Sequence, residues 1–440
     1  MKIAVIGTGY IGLVSGVCLA KLGHTVVCVD NNAGKVKALQ AGEVPIFEPG
    51  LADLMQEASS SGRLHFSTDT QSATRSCDAV MIAVGTPTDQ TGQSSDLSFV
   101  FAAARDIAAG IDGYKVIIIK STVPAGTGRQ VERAIKDANP RADFDVVSNP
   151  EFLREGAAIF DFMNPDRIVI GTTNPRARAL MGEIYASFIG NNVVMLETGL
   201  ESAELIKFAS NGFLATKIAF INEMAELCEA SGANVQDVAR GMGFDDRIGP
   251  KFLNAGPGFG GSCFPKDNRA LSGMAKVLDV QLRITDAVIA SNDHVKIRAF
   301  QKIAELAGGK VAGLSIVVFG VTFKPDTDDM REASALTIIP QLIAGGASIT
   351  VVDPEGRKHG EALLPGVKWQ SDPYAAASDA DMIVVLTEWR MFRTLDLAKL
   401  RAVMKQGMLA DLRNIYVPEV LAKAGFHRYY HIGRGIVYAA

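Results

Sequence analysis

Short, unbroken apolar runs recur along the chain, and most end in a glycine-rich or hydroxyl-rich stretch. Lys2-Ile3-Ala4-Val5-Ile6 is the first. His24 to Asp30, Asp78 to Val84, Lys115 to Lys120 and Asp145 to Ser148 follow. Apolar runs of this length, bounded by turn residues, predict strands buried on both faces. The apolar helix Leu13 to Leu22 separates the first two, and strands alternating with helices predict a parallel sheet. From about Leu200 the period changes. Leu205, Phe208, Ala209, Phe213, Ile218, Ile221, Met224 and Leu227 fall at helical spacing, with Gly212 as the one breaker. The pattern predicts one long helix over Glu201 to Ala230, or two stacked ones. Helical spacing returns from Asn268 to Leu306, with an interruption near Val280 to Arg283. A second strand series then runs through Gly313 to Gly320, Thr350 to Pro354, Asp381 to Thr387 and Gly407 to Asp411. Tyr429 to Gly435 receives no assignment.

Composition narrows the class. The 440 residues are 48% hydrophobic and 21% charged, as in globular proteins with a large core. A net charge of -4 gives no general attraction to nucleic acid or to an anionic membrane. No run is long and apolar enough to predict a membrane span, and the N-terminus lacks the pattern of a signal peptide. Cys18, Cys28, Cys77, Cys228 and Cys263 are scattered and odd in number. They predict neither a disulfide framework nor a metal site, and they suit a reducing, cytoplasmic compartment.

The first strand runs directly into Gly7-Thr8-Gly9-Tyr10-Ile11-Gly12, which opens a helix. The second strand ends in Asp30. In that context the glycines are a dinucleotide fingerprint. Gly7 allows the tight turn, Gly9 lets a pyrophosphate approach the backbone, and Gly12 lets helix pack on strand. The helix N-terminus offers free amides to the phosphates. Asp30 would accept hydrogen bonds from the adenosine ribose, which favours NAD over NADP. The later strands end in Gly85-Thr86-Pro87-Thr88, in Ser121-Thr122-Val123-Pro124-Ala125-Gly126, and in Asn149-Pro150-Glu151-Phe152-Leu153-Arg154-Glu155-Gly156. Loops at the carboxyl ends of parallel strands are where ligands bind. The second series carries Gly320-Val321-Thr322-Phe323-Lys324-Pro325 in place of the fingerprint, so a different nucleotide is expected there. The fold class expected is α/β: two Rossmann-like, doubly wound parallel-sheet domains bridged by a long central helix and a helical region. The expected boundaries are 1–198, 199–308 and 309–440.

Gly258-Phe259-Gly260-Gly261-Ser262-Cys263-Phe264-Pro265-Lys266-Asp267 lies in the helical region. Its glycines and proline allow tight turns, and Cys263 sits among them with a lysine and an aspartate nearby. Lys207 and Asn211 lie one turn apart on the long helix and share a face.

Taken together, the fingerprint, Gly85 to Thr88, Ser121 to Pro124, Asn149 to Gly156, Gly258 to Asp267 and Phe323-Lys324 resemble the UDP-glucose/GDP-mannose dehydrogenase family over nearly the whole chain. The resemblance implies an NAD-dependent, four-electron oxidation of UDP-glucose to UDP-glucuronate. Cys263 would trap the aldehyde as a thiohemiacetal, and a second oxidation would give a thioester that water hydrolyses. It further implies that Asp267 is an acid/base group working with Thr122, and that Lys207 and Asn211 stabilise an oxyanion. Glu151 would assist hydrolysis or shuttle a proton. For NAD the matching positions are Gly7, Gly9, Tyr10, Ile11, Gly12, Asp30, Lys35, Thr86, Thr122, Glu155 and Arg331. For UDP-glucose they are Phe152, Leu153, Arg154, Glu155, Lys207, Asn211, Arg247, Asn254, Phe259, Gly260, Lys324 and Arg413. Arg247 matches a residue that crosses from a partner subunit, so a homodimer or higher homo-oligomer is implied. Lys35 stands where some relatives have arginine, and a lysine lacks the fork that grips phosphate in two places. Two alternatives stay open: another nucleotide sugar (GDP-mannose or an N-acetylated UDP-hexose) as substrate, or a nucleotide-sugar-binding protein without catalysis.

Overall fold

The computed structural model describes residues 1–440 apart from 91, 93, 190–192 and 439–440. The chain divides into two compact units, Met1–Ser210 and Asn211–Ala440. The strands of the first are β1 (Lys2–Ile6), β2 (Thr25–Val29), β3 (Leu64–Ser67), β4 (Ala79–Ile82), β5 (Lys115–Ile119), β6 (Phe144–Ser148), β7 (Arg167–Gly171) and β8 (Val194–Thr198). Their order in the sheet is β3-β2-β1-β4-β5-β6-β7-β8. The order reverses between β1 and β4, the topological switch point at which such sheets bind ligands. Apolar side chains cover both faces. Leu13, Val14 and Val17 of the helix Tyr10–Lys21 pack on one side, and Val100, Ile107, Val131 and Ile135 on the other. β4 and β5 are buried along their whole length, which is why they read as unbroken apolar runs.

The sheet is parallel-dominated as expected, with one exception. β6 meets β7 antiparallel, through the single pair Ser148 and Gly171. Periodicity did not reveal β3, β7 or β8. β8 closes the edge of the sheet, and its apolar residues Val194 and Leu196 are exposed there rather than buried as in a central strand.

In the second unit the sheet comprises β9 (Ser315–Phe319), β10 (Ser348–Val352), β11 (Lys368–Gln370), β12 (Met382–Val385), β13 (Met408–Asp411), β14 (Arg428–His431) and β15 (Gly435–Tyr438). Its order, β11-β10-β9-β12-β13-β14-β15, repeats the reversal of the first. The unassigned Tyr429 to Gly435 belongs to the antiparallel hairpin of β14 and β15. Tyr430 enters the core on one face of the sheet and Tyr429 the core on the other. The helical stretches form as the spacing predicts. Leu200–Ser231 is one unbroken helix, and Phe264–Val277 and Arg283–Leu306 flank the foreseen interruption. Ile221 and Ala225 of the long helix, with Ala299 and Ile303, share one core with β9 and β10. Among the described residues no helix is long and apolar enough to cross a membrane.

Glu229 ties the long helix to the terminal hairpin. Its carboxylate pairs with Arg298 at 2.5 Å and Lys302 at 3.4 Å, and accepts from the Tyr430 hydroxyl at 2.8 Å and from Gly433 N at 3.0 Å. Burial raises this carboxyl, but the donors outweigh burial and hold it below its ordinary value. A depressed carboxyl stabilises the fold above the unfolded-chain pKa, about 4.3, and the contribution fades as the pH falls below that. Glu229→Ala removes the buried acceptor that half-buried Arg298 and Lys302 share with the Tyr430 hydroxyl and Gly433 N, and leaves those cations only Glu226 and Glu305. It should cost about 3–5 kcal/mol in urea denaturation at neutral pH, and clearly less at pH ~3.

Candidate active site

Three glycines shape the end of β1. Gly7 has φ +100°, and a Cβ there would lie 2.6 Å from Ala83 O. A Cβ on Gly12 would lie 2.0 Å from Gly7 O, while a Cβ on Gly9 would meet nothing within 4 Å. The chain is therefore packed behind this loop and open in front of it. The helix Tyr10–Lys21 begins here with no side-chain cap, so its first amides are available to an anion. Ile11 lies half-buried in its first turn. Asp30, at the end of β2, accepts from Thr8 N at 3.1 Å, Thr8 Oγ1 at 2.6 Å and Asn32 N at 3.0 Å. The Lys35 ammonium lies 3.1 Å from the same carboxylate. Burial raises the Asp30 carboxyl, but these hydrogen bonds win and hold it below its usual range. These residues fit a dinucleotide: an open glycine face, uncapped amides and an ionised acid. Lys35 contributes by holding Asp30. Thr86 donates to the carbonyl of Thr122 at 3.0 Å, which joins two of the loops expected to meet the cofactor.

The loop after β6 carries the second group of this unit. Glu151 and Lys207 form an ion pair at 2.9 Å, each with only 4% of its side chain exposed. Glu151 also accepts from Leu153 N at 2.6 Å. The ring of Phe152 lies under two cations, Arg167 at 3.7 Å and Lys207 at 5.4 Å. Arg154 is turned to Asp161, at 2.6 Å. Beyond it, half-buried Glu155 precedes Gly156, whose N–H donates to Glu48 at 2.7 Å and to the Tyr10 hydroxyl at 3.0 Å. Tyr10 in turn donates to Glu48.

In the second unit, Cys263 occupies the N-cap of the helix Phe264–Val277. Its Sγ lies 3.5 Å from Ser262 Oγ. Asp267 stands one turn further along the same face. Its two oxygens accept from Asn211 Nδ2 at 2.7 Å and Lys266 Nζ at 2.6 Å. The glycines in front of Cys263 are required by their neighbours. A Cβ on Gly260 would lie 2.4 Å from Glu332 O, and one on Gly261 2.8 Å from the Phe323 ring. Phe259 exchanges both backbone hydrogen bonds with the side chain of Asn292. Its ring is buried among Ala215, Ala219 and Val288, so it shapes the loop from the core side. The Arg413 guanidinium donates to Leu386 O at 2.6 Å and Phe323 O at 3.3 Å, and lies 3.1 Å from Glu388. Lys324 follows Phe323, with its ammonium 5.5 Å from that ring. Arg331 pairs with Asp329 at 2.8 Å, and Gly261 N donates to its carbonyl. Asn254 is exposed. Arg247 stands apart, with 89% of its side chain exposed and Asp245 at 2.6 Å.

The UDP-glucose/GDP-mannose dehydrogenase family matches this chain in three parts: its NAD binding domain over residues 1–189, its central domain over 201–294 and its UDP binding domain over 317–418. A UDP-glucose 6-dehydrogenase of Rhizobium meliloti is 53% identical over 436 residues, covering 99% of this chain and all of that protein. The chain belongs to the UDP-glucose/GDP-mannose dehydrogenase family. Family members of known structure share the fold. A UDP-glucose dehydrogenase of Pyrobaculum islandicum is 38% identical with a TM-score of 0.88, covering 95% of both chains. A UDP-D-ManNAc dehydrogenase of Pyrococcus horikoshii is 26% identical with a TM-score of 0.86, covering 99% of this chain and 100% of that one. The NAD binding domain of the family spans the glycine loop and Asp30 described above.

Sequence reasoning passed over several residues that hold this family member's loops. Glu48 secures Gly156 and Ala158, the latter at 2.7 Å. Asn222 accepts from Gly256 N at 2.9 Å, and Asn292 holds Phe259. Glu48 lies in a loop and Asn222 and Asn292 within helices, and each meets a partner distant in the chain.

Burial pushes the Cys18 and Cys28 thiols up to about 12 and raises Cys77 and Cys228. Those four are buried, and Cys263 is half-exposed. Brief treatment of the native protein with iodoacetamide should label Cys263 first and by at least roughly tenfold over the others. Peptide mass mapping reads this directly, and equal labelling of Cys77 or Cys228 would contradict it.

Proposed function

We propose that the chain oxidises UDP-glucose to UDP-glucuronate with NAD. The observation that carries the reading is the half-exposed Cys263 at a helix N-terminus, one turn from a buried Asp267 that Asn211 and Lys266 hold. NAD held at the glycine loop would supply the hydride acceptor for the sugar C6, at the alcohol and again at the thiohemiacetal stage. The chain's own residues do the rest. Asp267, with Thr122, takes the proton of the C6 hydroxyl as the first hydride leaves. The Cys263 thiolate adds to the aldehyde carbon, and its oxygen takes a proton to give a thiohemiacetal. Loss of the second hydride and of that proton leaves a thioester. Water then adds, the carbon–sulfur bond breaks, and the carboxylate and the thiolate are released. The Lys207 ammonium and the Asn211 amide stabilise the oxyanions. Each already donates to a carboxylate, Glu151 or Asp267, so these buried acids are paired before substrate arrives. Glu151 assists the hydrolysis.

We assign cofactor binding to residues 1–198, the thiol chemistry and subunit pairing to 199–308, and the UDP moiety to 309–440. Lys324 and Arg413 serve the diphosphate. Arg247, with 89% of its side chain exposed, reaches a second copy of the chain in a homodimer. The five free thiols favour the cytoplasm. One observation favours a second reading, an N-acetylated UDP-hexose as substrate: the UDP-D-ManNAc dehydrogenase shares this fold at a TM-score of 0.86. The 53% identity to a UDP-glucose 6-dehydrogenase supports UDP-glucose instead.

Purified protein given UDP-glucose and excess NAD should form two NADH per sugar consumed, and NAD should be preferred to NADP. Cys263→Ser should still bind UDP-glucose in calorimetry while turnover falls by at least about 10³-fold. One NADH per sugar, or full turnover in the serine variant, would remove the covalent course.

A further inference from the structure

The stretch that carries Thr122 is anchored at both ends by ionisable side chains buried out of water. At its start, Lys120 follows β5 and directs its ammonium to Asn149 Oδ1 at 3.1 Å and the Tyr185 hydroxyl at 3.4 Å. Tyr185 donates to the same Asn149 oxygen at 2.6 Å, and Asn149 Nδ2 donates to Val169 O at 2.7 Å. Asn149 opens the loop that bears Glu151, so this cluster locks one catalytic loop to the other. At the far end, Glu204 accepts from Gly126 N and Gly128 N, both at 2.6 Å. Gly126 is left-handed, at φ 91°, and no side-chain hydrogen bond from the N-cap residue closes the helix Thr127–Ala138. Glu204 caps that helix from another helix, one turn before Lys207. Its side chain is 2% exposed.

We infer that Lys120 and Glu204 are positioning residues that fix the Thr122 loop, one against the Glu151 loop and the other against the helix that bears Lys207. The inference rests on the dehydrogenase reading above, and neither residue has a part in the chemistry given there.

The charges around them make the clamp sensitive to pH. Glu204 faces the two glycine amides, with Glu201 and Arg129 nearby and paired to each other at 3.0 Å. Burial pushes the Glu204 carboxyl up to about 7, against the pull of the Gly128 and Gly126 amides. Lys120 faces Asn149 and the Tyr185 phenol, within the fields of Glu151 and Lys207. Burial brings its ammonium down to about 8, with Glu151 opposing the shift. Glu204 is therefore charged above about pH 7 and Lys120 below about pH 8, so both are charged together only between them. Below that window Glu204 becomes protonated and accepts the two amides less well. Above it Lys120 loses the charge that draws Asn149. Overall stability runs the other way for Glu204. A carboxyl raised from 4.5 to about 7 stabilises the fold most below its unfolded value, and this is lost as pH rises through the folded value. Positioning and bulk stability thus separate.

The test uses full-length protein, UDP-glucose and NAD, with Glu204→Gln and Lys120→Met measured across the pH range. Glu204→Gln should lower kcat on the order of 10- to 100-fold with little change in KM, and the acid limb of the kcat profile should disappear. Lys120→Met should displace the alkaline limb. Hydrogen exchange should speed up at the Gly126 and Gly128 amides in Glu204→Gln. In wild-type protein those amides should lose protection below about pH 7, after correction for intrinsic rates. Wild-type pH profiles in both variants, or unchanged exchange at those two amides, would overturn the inference. If Glu204→Gln fails to fold, the wild-type exchange series decides. If wild-type protein does not turn over UDP-glucose, the functional reading fails, and the exchange series still judges the clamp.

Discussion

Carboxylates that accept backbone amides hold the loops of both units in place. A buried N–H with no acceptor costs about 1–3 kcal/mol, and a loop at the end of a strand has several to satisfy. In the first unit Asp30 takes Thr8 N, Glu48 takes Gly156 N and Ala158 N, and Glu204 takes Gly126 N and Gly128 N. In the second, Asp353 takes Val321 N and Gly356 N, and Asp411 takes Arg413 N and Tyr416 N. Candidate functional residues lie beside these anchors: Tyr10, Glu155, Thr122, Lys324 and Arg413. The buried acids hold the backbone from which these residues extend.

The two sheets use one device to different ends. Asp30 follows β2 and Asp353 follows β10, and each reaches the loop after the neighbouring strand. Asp353 is buried and is committed to Val321, Thr322, Glu355 and Gly356. Asp30 is half-exposed and has the Lys35 ammonium beside it. The glycines differ to match. Gly9 opens onto free space, while a Cβ on Gly320 would meet Thr387 at 2.4 Å. The first loop is shaped to receive a ligand at its backbone, and the corresponding loop of the second sheet is packed shut there. In the proposed reading, Lys324 and Arg413, further along, meet the nucleotide instead.

Burial sets the electrostatics of these anchors. Among the described residues, no lysine or arginine pairs with the Glu204 or Asp411 carboxylate, His431 approaches Asp411 only at 3.8 Å, and burial pushes the two carboxyls up to about 7 and about 6. His431 is itself brought down to about 4 by burial, so it is neutral at physiological pH and adds no charge to Asp411. Asp30 and Glu229, each with a cation and several donors, go the other way. Net direction follows from whether a cation joins the amides.

Much was legible in the chain alone, because local patterning carried it. Buried parallel strands need apolar residues on both faces, so the central strands stood out as runs. The long helix appeared through its period, and Gly7, Gly9, Gly12 and Asp30 through their spacing around a strand and a helix start. The Gly258 to Asp267 stretch marked itself because only glycine tolerates so close a backbone approach. Tertiary structure alone decided what depends on partners far apart in sequence. Edge strand β8 and the β14–β15 hairpin take their place from their neighbours. Lys120 reads as the end of an apolar strand, Glu204 as one more acid on a helix and Glu48 as a loop residue. Nothing local distinguishes them. A side chain's role as an anchor is set by which amides or amides' carbonyl partners it meets after folding, and that depends on how the loops pack.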